Sequence, residues 1–75
     1  MTSQERILRN LGTRLRQLRL GRQLRQCDMV CFGLNEKYYQ RLESGQVNPT
    51  LLTLSKLATA FEVSLSELLS LAPEA

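Results

Sequence analysis

Histidine and tryptophan are absent from this 75-residue chain, and its aromatic content stops at two tyrosines and two phenylalanines. Without histidine, the commonest general base and a frequent zinc ligand are both missing. Cysteine is limited to Cys27 and Cys31, too few for a structural zinc site, and no cofactor is expected. Neither cysteine stands beside a candidate base and no carboxylate pair marks a pocket, which argues against an enzyme. The two thiols lie four apart on one face of an expected helix, an arrangement that disfavours a disulfide. They read as core or half-buried residues, with a redox switch as the lesser alternative.

Long apolar runs are also missing. None approaches the roughly 20 residues needed to cross a membrane, and the polar, arginine-rich start is unlike an apolar leader. A cytoplasmic protein without membrane contact is expected. Four glycines and two prolines are too few for a loop-rich chain, while 43% apolar content supports a folded globule. The length allows one domain, residues 1–75, with a small core.

Charge is present but unevenly placed. Residues 1–26 hold Arg6, Arg9, Arg14, Arg16, Arg19, Arg22 and Arg25 against Glu5 alone, a net +6. The remainder holds Lys37, Arg41 and Lys56 against Asp28, Glu36, Glu43, Glu62, Glu67 and Glu74, a net −3. A basic segment of this kind suits a polyanion, although a solvated arginine-rich helix face would look the same.

Period-two alternation is nowhere evident, so the chain is expected to be all-α, a compact bundle of five helices. The first helix spans about Gln4 to Leu20, with Ile7, Leu11, Leu15 and Leu18 on one stripe and Gly21 ending it. A short second helix covers Gln26 to Phe32, with Met29, Val30 and Phe32 as core candidates and Gly33 closing it. A third follows the N-cap Asn35 and stops at Gly45. The fourth runs from about Leu51 to Phe61, with Leu51, Leu54, Leu57, Ala58 and Phe61 on its apolar face. Ser64 and Glu67 form a capping box that opens a fifth helix reaching about Leu71.

The third helix carries the chemistry. Leu34, Tyr39 and Leu42 face inward, which leaves Glu36, Lys37, Gln40 and Arg41 outward. A helix seated on an apolar base with such an outer row can read base edges in a DNA major groove. Lys37 and Arg41 can donate to guanine, Glu36 can accept from cytosine, and Gln40 can pair with adenine.

The order of basic helix, short helix, glycine turn, polar-faced helix and Gly-x-x-x-Pro turn resembles the lambda-repressor-like helix-turn-helix family, the Xre or Cro/repressor type. The matching residues are Leu11-Gly12, Leu15, Leu18, Arg19, Gln26, Gly33, Tyr38-Tyr39, Leu42-Glu43, Gly45 and Asn48-Pro49-Thr50. They continue through Leu54, Leu57-Ala58, Ala60-Phe61 and Val63-Ser64-Leu65, so that the likeness spans residues 11 to 69. It implies a helix-turn-helix at about residues 26–44, with Glu36, Lys37, Gln40 and Arg41 as the base-reading row. Gln26 would bridge a phosphate and the recognition helix. Tyr38, the backbone N–H groups around Ser44, Gly45 and Gln46, and the Asn48 side chain would meet the phosphate backbone. Arg19 and Glu43 match a buried salt bridge joining the first and third helices. Two departures stand out: Gln26 to Gly33 is one residue shorter than the family spacing, and Arg25 occupies the usual Ser or Thr cap. Together they predict a second helix that starts late or is rotated.

Val63, Leu65, Leu68, Leu69 and Leu71 offer more apolar surface than a short terminal helix needs for its own core. In similar regulators the corresponding region, here about 51–71, makes a two-fold dimer; the alternative is that these leucines cap the bundle. The expectation is therefore a homodimer that binds double-stranded DNA at a palindromic operator as a repressor or autoregulator. Restriction–modification controllers, phage or plasmid repressors and antitoxin-type autoregulators all fit. The rival is a protein-interaction module, such as an antitoxin, whose main partner is a toxin or polymerase.

Overall fold

Polar caps start four of the five helical elements in the computed structural model, which describes residues 2–71. Thr2, Asn35, Thr50 and Ser64 each accept, through a side-chain oxygen, the N–H three residues on. Each satisfies a donor that the first helical turn cannot. The elements are α1 (Ser3–Gly21), the 3₁₀ helix η1 (Gln26–Phe32), α2 (Glu36–Glu43), α3 (Leu51–Ala60) and α4 (Leu65–Leu68). The described residues contain no strand, and the fold is all-α with five helices, as expected.

Every element gives the core at least one fully enclosed side chain. Leu15 comes from α1, Met29 from η1, Tyr39 and Leu42 from α2, Leu57 from α3 and Leu68 from α4, with Phe61 at the α3 cap. Burying a side chain of this size contributes about 1.5–3 kcal/mol. The core therefore depends on all five elements together. α1 crosses close to the end of α2 at Gly12, where a Cβ would lie 2.2 Å from the Glu43 carbonyl oxygen. The next turn needs glycine for a second reason: Gly45 has φ +73°, and a Cβ there would lie 3.0 Å from the Arg9 side chain of α1.

The second helix covers the expected residues, starts on time and is wound more tightly than an α-helix. With a 3₁₀ rise near 2.0 Å, seven residues span about 14 Å, against about 12 Å for eight α-helical residues. Winding thus absorbs the missing residue. In place of a Ser or Thr cap, Asp28 reaches back to accept the Arg25 N–H at 2.7 Å. That backbone bond, followed by the Arg25 guanidinium, holds the Asp28 carboxyl below its ordinary value.

Three-residue winding also overturns the reading of the thiols. Residues four apart share a face in an α-helix but stand about 120° apart in a 3₁₀ helix. Cys27 and Cys31 are both free and exposed, not core. Gln26, Met29 and Phe32 share one face, yet Met29 alone is fully buried; Phe32 is partly exposed and Val30 well exposed. Ile7 and Leu51 likewise lie at the surface, outside the stripes assigned to them. Gly21 remains inside α1, and the chain reverses at Gln23, with φ +58°. α4 ends at Leu68 after a single turn, short of Leu71.

Candidate nucleic-acid interface

The two turns of α2 sit on Tyr39 and Leu42, with Leu34 buried just ahead of them. Helical spacing then turns Lys37, Gln40, Arg41 and Ser44 outward as an i, i+3, i+4, i+7 stripe. Gln26 from η1 and Gln46 from the following turn join them around an open cleft of about 510 Å³. All six residues lining the cleft are site residues expected from the sequence. Lys37, Gln40, Arg41 and Gln46 spend no side-chain donor or acceptor within the described chain. Their head groups are available to a ligand.

The other expected contacts lie outside this cleft. Glu36 is half-buried in the first turn of α2, and Tyr38 is half-buried against the core. Asn48 is exposed and lines a different, apolar groove.

The stripe is held by one carboxylate. Glu43 Oε1 accepts from Arg19 Nε at 2.6 Å and from the Tyr39 hydroxyl at 2.7 Å. Its Oε2 accepts from Gln26 Nε2 at 2.9 Å and from Arg19 Nη2 at 3.2 Å. Arg19 also donates through Nη1 to the Leu24 carbonyl at 2.8 Å. The network ties the end of α1, the following loop, the start of η1 and the end of α2, and so joins the walls of the cleft. Burial would by itself raise the Glu43 carboxyl. Hydrogen bonds from Arg19, Tyr39 and Gln26, with the Arg19 charge, outweigh it and hold Glu43 below the usual range. The same Glu43 bond keeps the Arg19 guanidinium firmly charged, while burial, then the bond to Glu43, raises the Tyr39 phenol.

Gln26 is oriented by this contact. An ionised carboxylate can only accept, so the amide nitrogen faces Glu43 and the amide oxygen is left on the other side. Its tie to α2 is therefore made within the chain itself. Sequence reasoning missed the Tyr39 hydroxyl, treating Tyr39 as an inward apolar body; the available signal was its i, i+4 spacing to Glu43.

Two expectations need correction. The N–H groups of Ser44, Gly45 and Gln46 are used inside the chain, donating to the carbonyls of Gln40, Leu42 and Arg41 at 3.1, 3.2 and 2.9 Å. They close the C-terminus of α2 through a left-handed glycine, as helix ends require, and are not free for phosphates. The Ser44 hydroxyl is also engaged, donating toward the Gln40 and Arg41 carbonyls. The second correction concerns the basic segment. Beside Arg19, Arg14 donates to the Glu67 carbonyl at 2.8 Å, Arg22 pairs with Glu62 at 2.8 Å, and Arg25 pairs with Asp28 at 3.3 Å. At least four of the seven arginines are thus engaged by their own chain.

A family model described as helix-turn-helix matches residues 15–68. This chain belongs to the lambda-repressor-like helix-turn-helix family. One solved structure, the restriction-modification controller protein C.AhdI from Aeromonas hydrophila, is 39% identical with a TM-score of 0.78. The alignment covers 81% of this chain and 94% of that one. No curated protein gives a significant match. The helix-turn-helix protein is thus a DNA-binding transcriptional regulator and not an enzyme. No helix among its described residues is long and apolar enough to cross a membrane.

Leu68, expected to face a second subunit, is fully enclosed in its own core and cannot do so. Val63, Leu65 and Leu71 are half-buried, while Leu69 is 39% exposed.

Proposed function

We propose that this regulator binds a palindromic operator as a homodimer in the cytoplasm and acts there as a repressor or autoregulator. The likeness to a restriction-modification controller supports the control of restriction–modification genes over the phage, plasmid and antitoxin alternatives. The observation that carries the DNA reading is the stripe Lys37, Gln40 and Arg41, exposed and unspent beside Gln26 and Gln46. Lys37 and Arg41 supply donors for guanine O6 and N7, and Gln40 supplies the paired donor and acceptor that adenine matches. Glu36 accepts from cytosine at the edge of this row. Gln26, Gln46, Asn48 and Tyr38 hold the phosphates on either side through their side chains. Two such stripes about one DNA turn apart, roughly 34 Å, require two-fold symmetric half-sites.

Selection of bound duplexes from a random DNA pool at physiological salt tests this reading. A two-fold symmetric motif with half-sites about ten base pairs apart is the expected result. Weak, salt-sensitive binding without any enriched motif would sink it and leave a protein partner, such as a toxin or polymerase, as the main role.

A further inference from the structure

Arg9, Arg16, Lys37, Arg41 and Lys56 are exposed, and their side chains have no hydrogen bond or ion pair among the described residues. Lys37 and Arg41 belong to the DNA cleft, whereas Lys56 lines a different groove with Phe32. Arg9 lies ahead of residues 15–68, so the family match gives it no role. What sets it apart is its neighbour. A Cβ at Gly45 would lie 3.0 Å from Arg9 Cγ and 3.1 Å from its Cα and N, so the stem and backbone of Arg9 rest on that glycine. Gly45 stands between Ser44 and Gln46, both of which line the cleft. A guanidinium carried over this turn extends the cationic surface of Lys37 and Arg41 past the end of α2. Glu5, one turn earlier on α1, could compete for it but forms no ion pair with it.

The turn lacks what a phosphate needs. Its N–H groups and the Ser44 hydroxyl are spent on α2 carbonyls, which leaves the neutral Gln46 side chain. A guanidinium supplies both the missing charge and a planar pair of donors that fits phosphate oxygens. We propose that Arg9 is a DNA-backbone residue, holding the phosphate beside the Gly45 turn in place of the closed N–H groups. This rests on the operator-binding reading above and adds a contact from α1, ahead of the helix-turn-helix. The contact carries no base information; it fixes the register of α2 and Gln46 on the duplex.

Binding of the full chain to its selected duplex, measured across salt, tests the contact in three variants. Arg9→Gln keeps a stem over Gly45 and removes the charge, Arg9→Lys keeps a charge, and Lys56→Gln removes one charge elsewhere. Both positions are exposed, so urea midpoints are expected to match the wild type. Arg9→Gln is expected to lower the slope of log affinity against log salt by about 0.9, the share of one phosphate. Its deficit then shrinks about 3.5-fold between about 50 and 200 mM salt. The deficit is expected to be equal on the selected duplex and on its single-base variants. Arg9→Lys and Lys56→Gln are expected to keep the wild-type slope. An unchanged slope in Arg9→Gln, or an equal drop in Lys56→Gln, overturns the Arg9 contact and leaves the operator reading standing. A slope lowered as much by Arg9→Lys, or a loss confined to one base position, overturns it too. A wild type that enriches no motif overturns the operator reading, and the contact with it.

Discussion

The outward face of α2 and the arginine-rich first third of the chain carry charge of the same sign, and only in the first are all the cations without a partner in the described chain. Lys37 and Arg41 are exposed with no internal partner. Arg14, Arg19, Arg22 and Arg25 point at acceptors on their own chain. The imbalance between a basic first third and a mildly acidic remainder is therefore partly a folding device. Arg19, Arg22 and Arg14 meet Glu43, Glu62 and the α4 carbonyl once the helices pack. Counting charge along the chain overstates what a polyanion can reach, since a committed guanidinium releases no counterion unless it first leaves its partner.

The strongest way to break this comparison is to remove its hinge. Glu43→Ala leaves Arg19 charged, buried and unpaired, and is expected to cost about 3–5 kcal/mol in urea unfolding. The same group sets an acid dependence. The Glu43 carboxyl is depressed in the folded protein, so its contribution is fully present above the unfolded value, roughly 4.3. It is lost as the pH falls from there through the depressed folded value. Unfolding midpoints followed from pH 7 to pH 3 are expected to decline over that window, and to decline less in Glu43→Gln. Equal decline in both would remove Glu43 as the source.

A smaller effect separates reading from folding. Arg41→Ala is expected to weaken binding to the selected site by about 1–3 kcal/mol and to relax its sequence preference, with the unfolding midpoint unchanged. Unaltered affinity would remove Arg41 from the base-reading row. The smallest effect belongs to the other face. Arg22→Ala breaks an exposed pair with Glu62 and is expected to change stability by no more than about 1 kcal/mol. Its salt slope for DNA is expected to match the wild type; a slope lowered by one phosphate contact would show that Arg22 does leave Glu62 on binding.

Much of the architecture was legible because its signals are local. Asn35 and Ser64 announce their helices through caps that bond three residues on, and Gly45 marks a left-handed stop. The inward set Leu34, Tyr39 and Leu42 follows from helical spacing, and with it the outward stripe. The elements that misled were those whose local pattern admits two outcomes. The segment 26–32 fits an α-helix in pattern and forms a 3₁₀ helix in fact, which exposes Cys27, Cys31 and Val30. The turn after α2 offered free N–H groups on paper, and the left-handed Gly45 closes them onto the helix. Leu68 and Leu69 are indistinguishable by hydropathy, yet one is enclosed and the other presents surface.

The sequence by itself determined the number, order and approximate limits of the helices, and the row of side chains that α2 turns outward. Caps, glycine stops and a 3.6-residue period act within a few residues and do not wait for the rest of the chain. Tertiary structure alone decided which charges are free, which leucines remain outside, and how Gln26 is aimed. Those outcomes depend on partners 17 to 53 positions away, as for Gln26 with Glu43 and Arg14 with Glu67. The physical reason is distance in the chain: a carboxylate or carbonyl satisfies a donor only after packing has brought the two together.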